Sequence, residues 1–157
     1  MDSVAIGLTR LSRLNNLALE ERAALFGSTS AECSVLGALV LGEPVLRPSA
    51  LTSAIVQSPG GLTKTLRRLE ESGLIKRRAD PADRRTLLVV LTATGRRAAE
   101  RWLAESNRYY EDLLRDFSAD ERAMLSFLIR RVLDRLEPAM GVTKSAGRVE
   151  SPTNGIT

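Results

Sequence analysis

The residues able to do chemistry are few in kind in this chain, and nearly all are cationic. Among 157 residues there is no histidine and one cysteine, Cys33. Without histidine the usual general base, the usual partner of a nucleophilic serine and the usual zinc ligand are all missing. One cysteine excludes an intrachain disulfide and any multi-cysteine metal site. With no phosphate loop or nucleophile motif either, the residues point to no enzyme, no metal and no cofactor. What remains is charge. The chain carries 23 Lys/Arg against 19 Asp/Glu, a net +4. Residues 60–101 hold 11 basic against 5 acidic residues, a local +6, so the remainder holds 12 against 14, or −2. A basic segment on an acidic body implies a face for a polyanion, with a merely solvated helix as the plainer alternative.

The elements that must position this charge run from Ser58 to Arg97. Ser58 is a good helix N-cap, and Pro59 suits a first turn that needs no N–H donor. Leu62, Leu66 and Leu69 follow at i, i+4, i+7 and form one core-facing stripe. Lys64, Arg67 and Arg68 fall largely off that stripe, with Thr63 and Thr65 beside them. Gly73 ends the helix. Strand-like Leu74–Arg78 and Thr86–Leu91 then flank Ala79-Asp80-Pro81-Ala82-Asp83-Arg84-Arg85, a turn-forming stretch. A positive helix followed by a positive hairpin is the shape of a winged helix-turn-helix, which makes nucleic acid the expected polyanion.

The rest of the chain supplies the frame. A first helix is expected over about Val4–Ala24, with Val4, Leu8, Leu11, Leu14, Leu17 and Ala18 at helical spacing. Thr29 and Glu32 form a capping box that opens a second, nearly all-apolar helix reaching about Leu41, where Gly42-Glu43-Pro44 stops it. A short third helix runs from Ser49 to about Val56 behind Pro48, burying Leu51 and Ile55. Its tight turn into the basic helix matches a helix-turn-helix, whose second helix enters the major groove. Thr92 or Thr94 caps a long helix to about Asp116, striped by Ala99, Trp102, Ser106, Tyr109/Tyr110, Leu113 and Phe117. Ser118 and Glu121 form a second capping box for a last helix ending at Pro138. From Gly141 onward the residues are polar, small and aperiodic, which reads as a disordered tail over 141–157. No apolar stretch approaches the roughly 20 residues of a membrane span. The first ten residues lack the pattern of a signal peptide, so a soluble, cytoplasmic protein is expected.

The first helix and the last two present more apolar surface than one small winged domain covers. They either pack on each other within the monomer or form a homodimer stalk that sets two basic helices on opposite half-sites; the second is the expectation adopted.

The run LEESGLIKRRADPADRRTLLVVLTATG (69–95) resembles the signature of the MarR-type winged-helix regulators: Leu-Glu, Gly-Leu-Ile, a wing with Asp-x-Arg-Arg, then Leu-Thr-x-x-Gly. The order of elements agrees over about residues 4–138. The resemblance implies a mainly α fold with a small β-wing, in which residues 1–140 form one domain. Residues 29–91 would be the winged helix-turn-helix, and 4–24 with 92–138 the dimerisation helices. It implies a homodimeric regulator of transcription on a pseudo-palindromic double-stranded operator. Such a protein is expected to be a repressor released by a small ligand, or alternatively by oxidation. A winged-helix module for protein interaction, without DNA binding, is the reading from another class.

Carried over by position, the resemblance places Ser58, Gly60, Gly61, Thr63, Lys64, Thr65, Arg67 and Arg68 against phosphates and base edges. Arg77, Arg84 and Arg85 serve the wing, with Arg84 or Arg85 entering the flanking minor groove. In the family the wing aspartate pairs with an arginine, so Asp83–Arg77 is expected here, with an ordinary turn role for Asp83 as the alternative. Two positions depart from the pattern. Gly60-Gly61 stands where relatives carry Ser or Thr, and Arg47 replaces the usual cap of the third helix. Cys33 lies in the first turn of the second helix, where the helix N-terminus would lower its pKa; a small residue buried as a hydrophobe is the reading adopted. Leu14, Leu17, Cys33, Leu36 and Trp102 are candidates to line an effector pocket, or to serve as core.

Overall fold

Side-chain caps set most of the helix starts. The computed structural model describes residues 2–42, 45–55, 58–81, 83, 85–140 and 142. Its elements, in chain order, are α1 (Asp2–Ala24), α2 (Ser30–Leu41), β1 (Val45–Leu46), α3 (Pro48–Ile55), α4 (Pro59–Glu71), β2 (Ile75–Ala79), β3 (Leu87–Leu91), α5 (Ala93–Leu113) and α6 (Ala119–Ala139). Both expected capping boxes are present: Thr29 with Glu32 opens α2, and Ser118 with Glu121 opens α6. In each, the hydroxyl and the carboxylate satisfy two backbone N–H groups that a helix start would otherwise leave unpaired. The hydrogen bonds from Ser118 hold the Glu121 carboxyl below its ordinary value. Thr92, rather than Thr94, caps α5 by accepting from the Gly95 N–H at 2.9 Å.

The basic helix α4 ends as its glycine foretells. Gly73 takes φ +68°, the Gly73 N–H donates to Glu70 O and the Leu74 N–H donates to Leu69 O, both at 2.9 Å. Those two bonds satisfy carbonyls that the helix end leaves open and aim the chain into β2. The wing is wider than the hairpin expected from the sequence. Its antiparallel order is β1-β3-β2, with Ile75 opposite Leu91 and Ala79 opposite Leu87. β1, which the sequence pattern does not disclose, adds Val45 opposite Val90 and Leu46 opposite Val89. Two residues are too few to show a period of two.

The core forms around α2, as its composition requires. Val35, Leu36 and Leu39 meet Leu51 of α3, Leu62, Leu66 and Leu69 of α4, Ile75 and Val89 of the sheet, and Ala99 of α5. Each buried leucine contributes about 2 kcal/mol, which ties α3 and α4 to one rigid support. A second cluster joins Ala23, Cys33 and Trp102, with Leu19 and Phe26 packed against it.

Two expectations shift. α5 ends at Leu113 rather than near Asp116, and Leu113 and Phe117 of its stripe are exposed. Pro138 lies inside the last turn of α6, which runs on to Ala139. The monomer does not cover the outer helices: α6 has no buried residue, and on α1 Val4, Leu8, Leu11, Leu14 and Leu17 are all exposed. Among the described residues no helix is long and apolar enough to cross a membrane. The tail expected over 141–157 lies, Val142 apart, outside the described residues.

Candidate nucleic-acid interface

The outward side of α4 is a cationic face held by a buried one. Ser58 Oγ accepts from the Gly61 N–H at 3.2 Å, so the cap expected there is made. Leu62, Leu66 and Leu69 are buried, which turns Gly60, Thr63, Lys64 and Arg67 outward. Gly61 is half-buried, and Thr63 returns its hydroxyl to Pro59 O at 2.9 Å. Thr65 is the correction on this helix. It is buried, and its hydroxyl donates to Gly61 O at 3.0 Å. Its place between Leu62 and Leu66 puts it on the core side, so it presents no side chain to a ligand.

The arginines divide into braced and free. Arg67 meets Glu71 at 3.6 Å with both side chains exposed, a contact worth well under 1 kcal/mol and easily exchanged for a phosphate. Arg68 lies 3.0 Å from Glu32, whose side chain is 8% exposed. Arg77 does not pair with Asp83, contrary to expectation. Its Nε lies 3.1 Å from Glu70 Oε2, without the alignment of a hydrogen bond, and its backbone N–H donates to Glu70 Oε1 at 3.3 Å.

Asp83 is instead the turn former. It accepts from the Arg85 N–H at 3.0 Å and from the Thr86 hydroxyl at 2.9 Å, and these local bonds use its oxygens where Arg77 would otherwise have been needed. They leave Arg85 exposed at the wing tip. Arg84 lies outside the described residues. A pair missed from the sequence anchors the wing: Arg47, before α3, lies 2.9 Å from Asp80, whose side chain is 10% exposed. Asp80 also receives the Asp83 N–H on its carbonyl and donates its own N–H to Thr86 O. Arg47, a poor helix cap by type, thus ties the wing base to the helix-turn-helix.

The five candidate pocket residues do not line one cavity. Leu36 is in the main core, Cys33 and Trp102 are in the second cluster, and Leu14 and Leu17 face outward. An open cleft of about 580 Å³ lies instead between α1, α2 and α3, lined among others by Arg13, Leu17, Glu20, Ser30, Ser34 and Ile55. Ser30 donates its backbone N–H to Glu20 at 2.9 Å, and its hydrogen bonds hold that carboxyl below its ordinary value.

Cys33 follows the small, buried reading rather than that of an activated thiol. Burial first, then the charges of Glu32 and Glu20, push its thiol up to about 12. The raised value keeps the thiol protonated at neutral pH, and the thiolate is the nucleophile that peroxide oxidises. Peroxide treatment of wild type and Cys33→Ser should therefore change DNA affinity equally, measured by titration before and after exposure. Loss of binding in wild type alone would contradict this.

Comparison with known proteins agrees with the geometry. The family model described as "MarR family" matches residues 26–86, from just before α2 into the wing. The HTH-type transcriptional regulator PecS of Dickeya dadantii is 31% identical over 127 residues, 80% of this chain and 76% of that protein. The uncharacterized HTH-type transcriptional regulator YwoH of Bacillus subtilis is 33% identical over 110 residues, 70% of this chain and 79% of that protein. The crystal structure of a mutant MarR from Escherichia coli, complexed with operator DNA, superimposes with a TM-score of 0.71. It is 28% identical and covers 85% of this chain and 98% of that one.

Proposed function

This chain belongs to the MarR family of transcriptional regulators, and from that premise we propose that it is a homodimeric repressor that reads a pseudo-palindromic double-stranded operator. The observation that carries the reading is the outward face of α4. Gly60, Thr63, Lys64 and Arg67 stand there with no part in the core, on a helix whose opposite side is locked by three buried leucines. Ser58 and Gly60 at its start bring backbone N–H groups to phosphate, where the positive helix end favours an anion. Lys64 supplies a point charge, and Arg67 can make the bidentate contact to guanine O6 and N7 that specifies a base. Arg85, with Arg84 beside it in sequence, serves the flanking minor groove.

The dimer is supported by the uncovered stripes of α1 and α6, which together would make an exposed apolar patch larger than soluble monomers usually carry. Two such protomers set two α4 helices on two half-sites. The release ligand is supported by the open cleft beside α1, which adjoins both the stalk helix and the N-terminus of α2.

The test is a fluorescence titration of the dimer against its own upstream region, repeated across salt concentrations. Specific binding with several phosphate contacts requires log K to fall steeply with log salt, by about 0.9 per phosphate neutralised. A flat dependence with no preference among sequences would refute the reading.

A further inference from the structure

Two ion pairs grip α4 from opposite edges of its outward arc, with Arg67 and Lys64 between them. Going round the helix at about 100° per residue, the order is Glu70, Thr63, Arg67, Lys64, Arg68. At one end of that arc Glu70 meets Arg77 of β2. At the other, Arg68 Nε lies 3.0 Å from Glu32 Oε1. The other oxygen of Glu32, Oε2, accepts the Thr29 N–H at 2.8 Å and completes the cap of α2. One buried carboxylate therefore caps the central helix and holds the basic one.

We propose that Glu32 is a positioning residue for DNA reading. Its pair with Arg68, opposed by Glu70–Arg77, sets the rotation of α4 about its own axis, and Arg68 is a brace rather than a phosphate contact. This rests on α4 as the reading helix. The leucine stripe fixes which side of α4 faces the core, and the two ion pairs add directional contacts that apolar packing lacks. A rotation of roughly 20° moves a group about 6 Å from the axis by some 2 Å. That is enough to break a hydrogen bond to a base edge. A carboxylate on one flank and a guanidinium on the other resist that rotation in both senses. Both pairs join α4 to other elements, unlike the exposed Arg67–Glu71 contact within the helix.

The experiment compares affinity for the operator with affinity for a random duplex of equal length, across salt, in three variants. Glu32→Gln retains an oxygen for the Thr29 N–H but removes the charge facing Arg68. Arg68→Met alters a half-exposed side chain but leaves the buried Glu32 carboxylate without its cation, so circular dichroism and a melt of each variant establish that it is folded before its affinities are compared. Each should lower the operator-to-random ratio about tenfold, close to what one mismatched base pair costs. The double variant should be no worse than either single one, because both remove the same contact. Arg68→Met should leave the salt slope on random DNA as in wild type. In Arg68→Met, a slope shallower by about 0.9 for each α4 helix engaged would make Arg68 a phosphate contact and overturn the proposal. So would an unchanged ratio in Glu32→Gln. A wild-type protein with neither slope nor preference would instead refute DNA reading itself, a result told apart because it appears before any substitution.

Discussion

Leu128→Glu is expected to leave the protein monomeric and to weaken operator binding by about 100- to 10,000-fold, the range over which linked sites gain on single ones. Leu128 sits mid-way along α6, 48% exposed in the protomer, among Met124, Ile129, Val132 and Leu136, which are exposed as well. A glutamate there costs the isolated protomer little, because the position is already solvated. In a dimer it would bury an unpaired carboxylate twice, once from each chain, and such a charge is strongly destabilising. Sedimentation of wild type and variant, with circular dichroism to show equal helix content, separates loss of association from loss of fold. A wild-type monomer, or a variant that remains a dimer and binds normally, would overturn the stalk.

The second large effect is on stability. Gly95→Ala should destabilise the protein by about 3 kcal/mol or more, at the upper end of what overpacking costs, and lower its melting temperature by roughly 10 °C. A Cβ at Gly95 would collide with the carbonyl oxygen of Leu74 and lie 2.7 Å from its carbonyl carbon. Backbone cannot step aside as a flexible side chain can. Leu74 O is moreover held at 3.0 Å by the Thr92 N–H and at 3.2 Å by the Thr92 hydroxyl, so any shift disturbs the joint between the sheet and α5. Alanine's better helix propensity returns at most about 1 kcal/mol. Gly60→Ala is the control: nothing lies within 4 Å of its Cβ, so the same propensity gain should leave the melt unchanged or slightly raised. Equal melting of Gly95→Ala and wild type would contradict the packing argument.

Gly95 also marks where local sequence rules stop. It belongs to the Leu-Thr-x-x-Gly part of the signature, legible as a pattern, but its reason is a long-range approach to Leu74 that no local rule contains. The caps were legible because both partners lie within four residues: Thr29 with Glu32, Ser58 with Gly61, Ser118 with Glu121. The leucine stripe of α4 was legible for the same reason. Contacts that join distant segments were not. Arg47–Asp80 and Glu32–Arg68 link separate elements, and Arg77 takes Glu70 because α4 and β2 pack side by side while Asp83 is used up by its own turn. Thr65 was misplaced because a small polar residue next to a stripe can face either way. Apolar spacing likewise could not separate a pocket from a core, and Leu36, Cys33 and Trp102 proved to be core.

The outward face of α4, on this account, reads a specific duplex. The most direct measurement is the operator titration across salt with Lys64→Ala and Arg67→Ala beside wild type. Lys64→Ala should weaken operator and random DNA alike and make the salt slope shallower by about 0.9 for each α4 helix engaged. Arg67→Ala should cost about 1–3 kcal/mol on the operator and relax preference at one position in each half-site. Wild-type affinity and slope retained by both variants would mean that α4 does not meet the DNA.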